Sequence, residues 1–153
     1  MSITVDSREL NRRFKELIKN TNDSLALRQL GFFVIKTIRH RTRKLGKGVA
    51  RPGGARRTLK PVSLEWAIRR AKLARSPEAA SGRKSNLTFK GTMLDSIEIL
   101  KASKGDLVIG FNDSKEEAKA EANTDRGRAF MFLGKVEARD AAAFFKEKVL
   151  RNV

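Results

Sequence analysis

Apolar positions along this chain recur at two spacings, and the switch between them sketches a fold. From Ser7 onward, Leu10, Phe14, Leu17 and Ile18 share one face of a helix, which the polar run Asn20-Thr21-Asn22-Asp23 interrupts. A longer helix is expected to start at Asp23 or Ser24. Its apolar positions are Leu25, Leu27, Leu30, Phe32, Phe33, Val34, Ile35 and Ile38. That stripe is wide enough to predict burial on more than one side in the first half. From Lys36 the pattern turns basic, so the far end is expected to project from the core and stop at Leu45-Gly46-Lys47-Gly48.

Residues 46–60 combine Gly, Pro and cations with little to bury, which reads as a flexible basic loop. Pro61 to Glu65 opens a third helix with Ser63 as its cap. Leu64, Ile68 and Ala71 form its expected inner stripe with Ala67 beside them, and Trp66 and Leu73 lie off it. Ser76-Pro77 ends that helix, and a second polar loop spans 76–86. Gly91 to Ser96 reads as a helical turn. The apolar spacing then changes, and Ile97–Ala102 and Asp106–Phe111 predict two strands joined by Ser103-Lys104-Gly105, a β-hairpin. Ser114–Ala122 starts another helix, Asn123 to Gly127 is a loop, and Arg128–Leu133 reads as a third strand ending at Gly134. A last helix is expected over Glu137–Arg151, with Ala138, Ala141, Ala142, Phe145, Val149 and Leu150 facing inward.

The fold class that follows is α+β: long N-terminal helices, a small antiparallel sheet with a hairpin near 97–111, and a C-terminal helix. A chain of 153 residues is the size of a single domain, 1–153. No internal repeat points to a solenoid.

Composition narrows the chemistry. The chain has no Cys, which removes disulfides and thiolate sites and suits a reducing compartment. His40 is the only histidine, so paired-histidine metal sites are excluded and any Ser-His-Asp relay would have to pass through it. Gly46-Lys47-Gly48 and Pro52-Gly53-Gly54 lack the spacing of a phosphate-binding P-loop, and no expected strand precedes them. Asp113, Glu116, Glu117, Glu121 and Asp125, interleaved with Lys115 and Lys119, read as a paired helix surface rather than a metal loop. Neither an enzyme nor a bound cofactor is expected. No apolar run approaches the length of a membrane span, and the first residues do not read as a secretory leader.

Charge changes the picture most. The formal net charge is +17. Lys36 to Lys90 holds 17 basic residues against the two acids Glu65 and Glu78, a net of +15. Ordinary surfaces intersperse both signs. A field this polarised predicts a polyanionic partner, and Arg39, Arg41, Arg43, Lys44, Lys47, Arg51, Arg56 and Arg57 are the expected contacts to DNA or an acidic partner. No helix-turn-helix, zinc-finger or homeodomain pattern accompanies them. The chain has no Tyr and one Trp, so base stacking offers little.

Three stretches in this order resemble a known family. Leu59-Lys60-Pro61-Val62-Ser63-Leu64-Glu65-Trp66-Ala67 is similar to a helix start that follows a basic, glycine-containing loop. Leu87-Thr88-Phe89-Lys90-Gly91-Thr92-Met93-Leu94-Asp95-Ser96-Ile97 is similar to the signature L-x-x-T/S-G-x-L-x-x-S-I, with Lys90 where the family has Thr or Ser. Arg128-Ala129-Phe130-Met131-Phe132-Leu133-Gly134 is similar to the family's closing segment. The family is the virion morphogenesis and tail-completion proteins of tailed bacteriophages, which act at the neck or head–tail junction.

The resemblance implies a non-enzymatic α+β subunit that assembles into a homo-oligomeric ring, a hexamer being favoured over a dodecamer. The ring would join the tail to the head connector around the DNA path. It implies a place in the virion, with the host cytoplasm as the site of assembly. The implied partners are further copies, other neck and tail proteins and duplex DNA in the channel, with no membrane. It also implies structural roles for Ser63, Trp66, Leu87, Gly91, Leu94, Ser96, Ile97, Phe130, Phe132, Leu133 and Gly134. Gly91 would permit a tight turn, Leu94 and Ile97 would anchor the hairpin, and Phe130, Phe132 and Leu133 would dock the last strand. The competing expectation is a soluble protein that binds nucleic acid without sequence preference and forms no ring. Such a binder should carry its cations on preformed surface, whereas a ring subunit can leave them in loops.

Overall fold

Helix α1 (Ser24–Leu45) is the spine on which the other elements of the core pack. A computed structural model describes residues 3–4, 24–73, 82–85, 87, 92–103 and 105–151. The expected helix of Ser7 to Ile18, most of the 76–86 loop, Thr88 to Gly91, Lys104 and the side chain of Leu150 lie outside the described residues.

The 22 residues of α1 span about 33 Å. Its buried positions are Ala26, Leu27, Leu30, Gly31, Val34, Ile35, Ile38, Arg41 and Thr42, one face at helical spacing. The wide stripe does not produce burial on several sides. Leu25 and Phe32 point outward, and Phe33 is half-buried, stacked on Phe144 with ring centroids 4.7 Å apart. The basic end does not project either, because Ile38, Arg41 and Thr42 keep it in the core. Gly46 ends α1 as expected: it takes a φ of 60°, which favours glycine, and its N–H donates to the Thr42 carbonyl at 3.1 Å.

Two antiparallel strand pairs follow in the chain. The first joins β2 (Lys47–Val49) to β3 (Arg56–Thr58), with Lys47 opposite Thr58 and Val49 opposite Arg56. The second is the hairpin of β4 (Ile97–Ser103) and β5 (Asp106–Phe111), within a residue of the boundaries expected. Its register shifts between Ile99 and Lys101, a bulge that leaves Leu100 exposed. The third strand of this sheet is β1 (Ile3–Thr4), paired antiparallel to β5, so the order is β1-β5-β4. Arg128–Leu133 is not a strand.

Helix α2 (Leu64–Leu73) begins where Ser63 predicts: the Ser63 hydroxyl accepts the Trp66 N–H at 3.2 Å. A turn of helix, α3 (Thr92–Asp95), leads into β4. Helix α4 (Ser114–Asp125) is capped by the Asp113 carboxylate, which accepts the Lys115 N–H at 2.8 Å, and runs three residues past the expected Ala122. Helix α5 (Lys135–Arg151) closes the chain with Ala138, Ala141 and Phe145 buried and Ala142 and Val149 partly so. The fold is thus α+β. One face of α1 packs on the β4–β5 hairpin and on α5 around Leu94, Ile97, Leu107, Ile109, Phe111, Phe130 and Met131. No described helix is long and apolar enough to cross a membrane.

Candidate functional site

The basic segment expected to be a loop is built into the molecule. Its two short strands bury Gly48 and Val49, and Leu59 continues the pairing by donating its N–H to the Gly46 carbonyl at 2.9 Å. The Pro52-Gly53-Gly54 tip reaches the motif segment: the Gly53 N–H donates to the Leu133 carbonyl at 3.0 Å. Glycine serves close approach here rather than mobility. A Cβ on Gly48 would stand 2.0 Å from the Ala129 carbonyl oxygen, a clash between two backbones that neither can relieve cheaply.

A buried charge network fastens the same region. Arg41 is 2% exposed. Its guanidinium donates to the Glu137 carboxylate, to the Phe130 carbonyl and, at 3.0 Å, to the Phe132 carbonyl. Glu137 is equally buried. One of its oxygens takes Arg41 and the Gly134 N–H at 3.0 Å, and the other takes Arg56 Nε at 3.0 Å. Glu137 stands three residues after Gly134, at the head of α5, so it also closes half of a capping box. Burial pushes the Arg41 guanidinium below its usual range; the charge of Glu137 and the hydrogen bond to it oppose that, and nearby Arg56 adds to it. The carbonyls of residues 130 and 132 are occupied by this arginine, so 128–133 places Phe130, Met131 and Leu133 in the core with these two carbonyls bonded to a side chain and not to a neighbouring strand.

Other arginines do similar work. Arg39 donates to the carbonyls of Leu94, Asp95 and Ile97 at 2.8 to 2.9 Å, fixing the entry to β4. Arg70 is buried beneath α2 and donates to the carbonyls of Gly82 and, at 2.8 Å, Lys84. Arg83 and Val62 exchange bonds, and Arg128 donates to the carbonyls of Lys60 and Pro61 at 3.0 and 3.1 Å. Burial lowers the Arg70 and Arg128 guanidinium pKa values from their usual range, with Arg126 contributing at Arg128. A segment with 17 cations and two acids has too few carboxylates of its own for its arginines, so several of these planar five-donor groups satisfy backbone carbonyls.

This sorts the eight expected contact residues. Arg41 is withdrawn from solvent, a correction to its expected role. Arg39 is half-buried and committed to backbone. Arg43 pairs with Asp95 at 2.7 Å, and Arg56 stays partly exposed while its Nε holds Glu137. Lys44 is exposed, at the end of α1. Lys47, Arg51 and Arg57 are exposed on the β2–β3 hairpin, and no carboxylate among the described residues pairs with them.

The motif residues are mostly internal. Leu94, Ile97, Phe130, Leu133 and Gly134 are buried, Leu87, Trp66 and Phe132 are half-buried, and the Ser96 hydroxyl donates to the Met93 carbonyl at 2.9 Å. Leu87 holds a φ of 57°, a conformation rare for a bulky side chain.

Helix α2 reverses its expected orientation. Ala67 and Arg70 face inward, while Leu64, Ile68 and Leu73 are 63%, 51% and 56% exposed and Ala71 is exposed beside them. No residue of α2 belongs to the main core. The acidic helix α4 spends Asp113 on its cap and Glu116 on Lys119, and no described group of three or more His, Cys, Asp or Glu could hold a metal ion. Glu137 and Arg70 are the residues sequence reasoning missed. The Gly134-x-x-Glu137 spacing was a readable signal for the first; nothing local marks the second. Comparison of the chain with protein-family models, curated proteins and solved structures finds no match.

Proposed function

We propose that this chain is a structural virion protein of a tailed phage, a tail-completion or neck subunit that forms a homo-oligomeric ring joining tail to head connector around the DNA path. The observation that carries this reading is the outward apolar face of α2. Leu64, Ile68 and Ala71 stand together in solvent on a helix fastened to the body by the polar contacts of Arg70. Apolar side chains grouped this way mark a surface that a partner covers. A freely diffusing DNA binder has no use for such a face, whereas a subunit packed between neighbours does. The order of the three motif stretches supports the same reading, with the apolar residues of the second and third converging on one core.

The second reading, a soluble nucleic-acid-binding protein without sequence preference, is favoured by one observation. The cations of 46–60 stand on strands and a docked tip, which is the preformed surface such a binder requires.

Quantitative mass spectrometry of purified particles tests the first reading. A fixed copy number of about six or about twelve per particle is the expected result, six favoured, as closed ring symmetry demands. Absence from particles while the chain is abundant in the lysate would overturn it and leave the second.

A further inference from the structure

We infer that the exposed β2–β3 ribbon is a contact for the phosphate backbone of duplex DNA, made by Arg51 in its connecting loop and by Lys47 and Arg57, which the register sets on opposite faces of the ribbon, and not by the other arginines of the basic segment. This deepens the DNA-path element of the function proposed above and rests on it for its setting. Three observations converge. The Glu137 carboxylate beneath the hairpin already faces two cations, Arg41 and Arg56, so its single charge does not neutralise the outer ones. Lys47, Arg51 and Arg57 are exposed with no carboxylate of the described residues paired to them. The hairpin is also fixed, through Gly53 to Leu133 and Gly48 against Ala129, so the charges are held in place before any ligand arrives.

The chemistry of the hairpin chooses the partner. From Lys47 to Thr58 there is no aromatic residue, Asn, Gln or acid, and Val49 is buried. Protein interfaces rely on aromatic or large apolar anchors in their centre, and this surface offers none. Base reading needs Asn, Gln or bidentate arginine set against a base edge, and stacking needs rings. Fixed cations on a slim ribbon with a Pro-Gly-Gly tip, and no Asn, Gln or ring among them, suit phosphates. The large apolar side chains of α2 lie on a different element, so the surfaces for assembly and for DNA are separate.

The test measures binding of the purified full chain to a mixed-sequence duplex by fluorescence anisotropy across a salt series. Each phosphate contact contributes about 0.9 to the slope of log K against log salt. The combined K47Q, R51Q and R57Q variant is expected to lower that slope by about 2.7. A control combining R28Q, K115Q and K146Q, which removes the same charge from exposed positions on α1, α4 and α5, is expected to leave it unchanged. Should the triple variant not fold, each single variant carries the test with a slope loss of about 0.9. Equal losses in the hairpin and control variants would overturn the inference, because binding would then follow net charge. So would an unchanged slope in the hairpin variant, including the case in which that variant fails to enter particles, which would assign the hairpin to an acidic protein. The ring reading stands or falls on the particle copy number, which does not depend on DNA binding by the isolated chain.

Discussion

The two hairpins of this protein are held by opposite means. The β4–β5 hairpin sits on α1 through Ile97, Leu107, Ile109 and Phe111, all buried, and its alternating pattern announces it. The β2–β3 hairpin buries Val49 and Leu59 and is otherwise fastened by a shared buried carboxylate, backbone-to-backbone contact and a guanidinium reaching across the core. One is a product of apolar area, the other of hydrogen-bond accounting. The difference teaches that a basic, glycine-rich stretch with nothing to bury is not thereby a loop, provided distant groups satisfy its polar atoms.

The sharpest way to break this contrast is Glu137→Ala. It leaves Arg41 buried without a counter-charge and frees Arg56 and the Gly134 N–H; removing one partner of a buried pair costs about 3 to 5 kcal/mol. Urea unfolding should show that loss, and a cost below about 1 kcal/mol would mean that the network is dispensable. Ile109→Ala strikes the other hairpin and should cost about 2 to 5 kcal/mol by the same measurement, through transfer and cavity terms alone. Gly48→Ala, which deletes no contact, should cost about 1 to 3 kcal/mol because its Cβ meets the Ala129 carbonyl. Hydrogen exchange should then rise at the Gly53 amide, which donates to Leu133, and stay unchanged in β4 and β5. The smallest effect is expected from Ser63→Ala, about 1 kcal/mol for a lost cap. It should raise exchange in the first turn of α2 and leave the core amides alone.

The legible parts of the fold share a physical basis. The start of α1 at Ser24, its stop at Gly46, the cap at Ser63 and the limits of β4 and β5 each rest on neighbours a few residues apart. The misread parts do not. The Arg128–Leu133 segment has the composition of a strand, and its carbonyls are claimed by an arginine 89 and 91 residues earlier in the chain. Helix α2 has an apolar stripe of ordinary spacing, and periodicity tells that a face exists without telling which way it turns. Arg70 decided that, by reaching inward to the carbonyls of Gly82 and Lys84. The candidate site was half legible: the concentration of cations was plain, but which of them serve the interior was not. Counting charge treats Arg41 and Arg57 alike, and burial separates them.

By itself, then, the sequence determined the α+β class, the long helix, the β4–β5 hairpin and the polarised charge, because local spacing and composition act through short-range sterics, capping and solvation. Tertiary structure alone decided that 46–60 is a docked hairpin, that Glu137 anchors it, that α2 turns its leucines outward and that only some of the cations face solvent. Those outcomes depend on where buried carbonyls and carboxylates find donors once the chain has closed on itself, and no window of neighbouring residues holds that information.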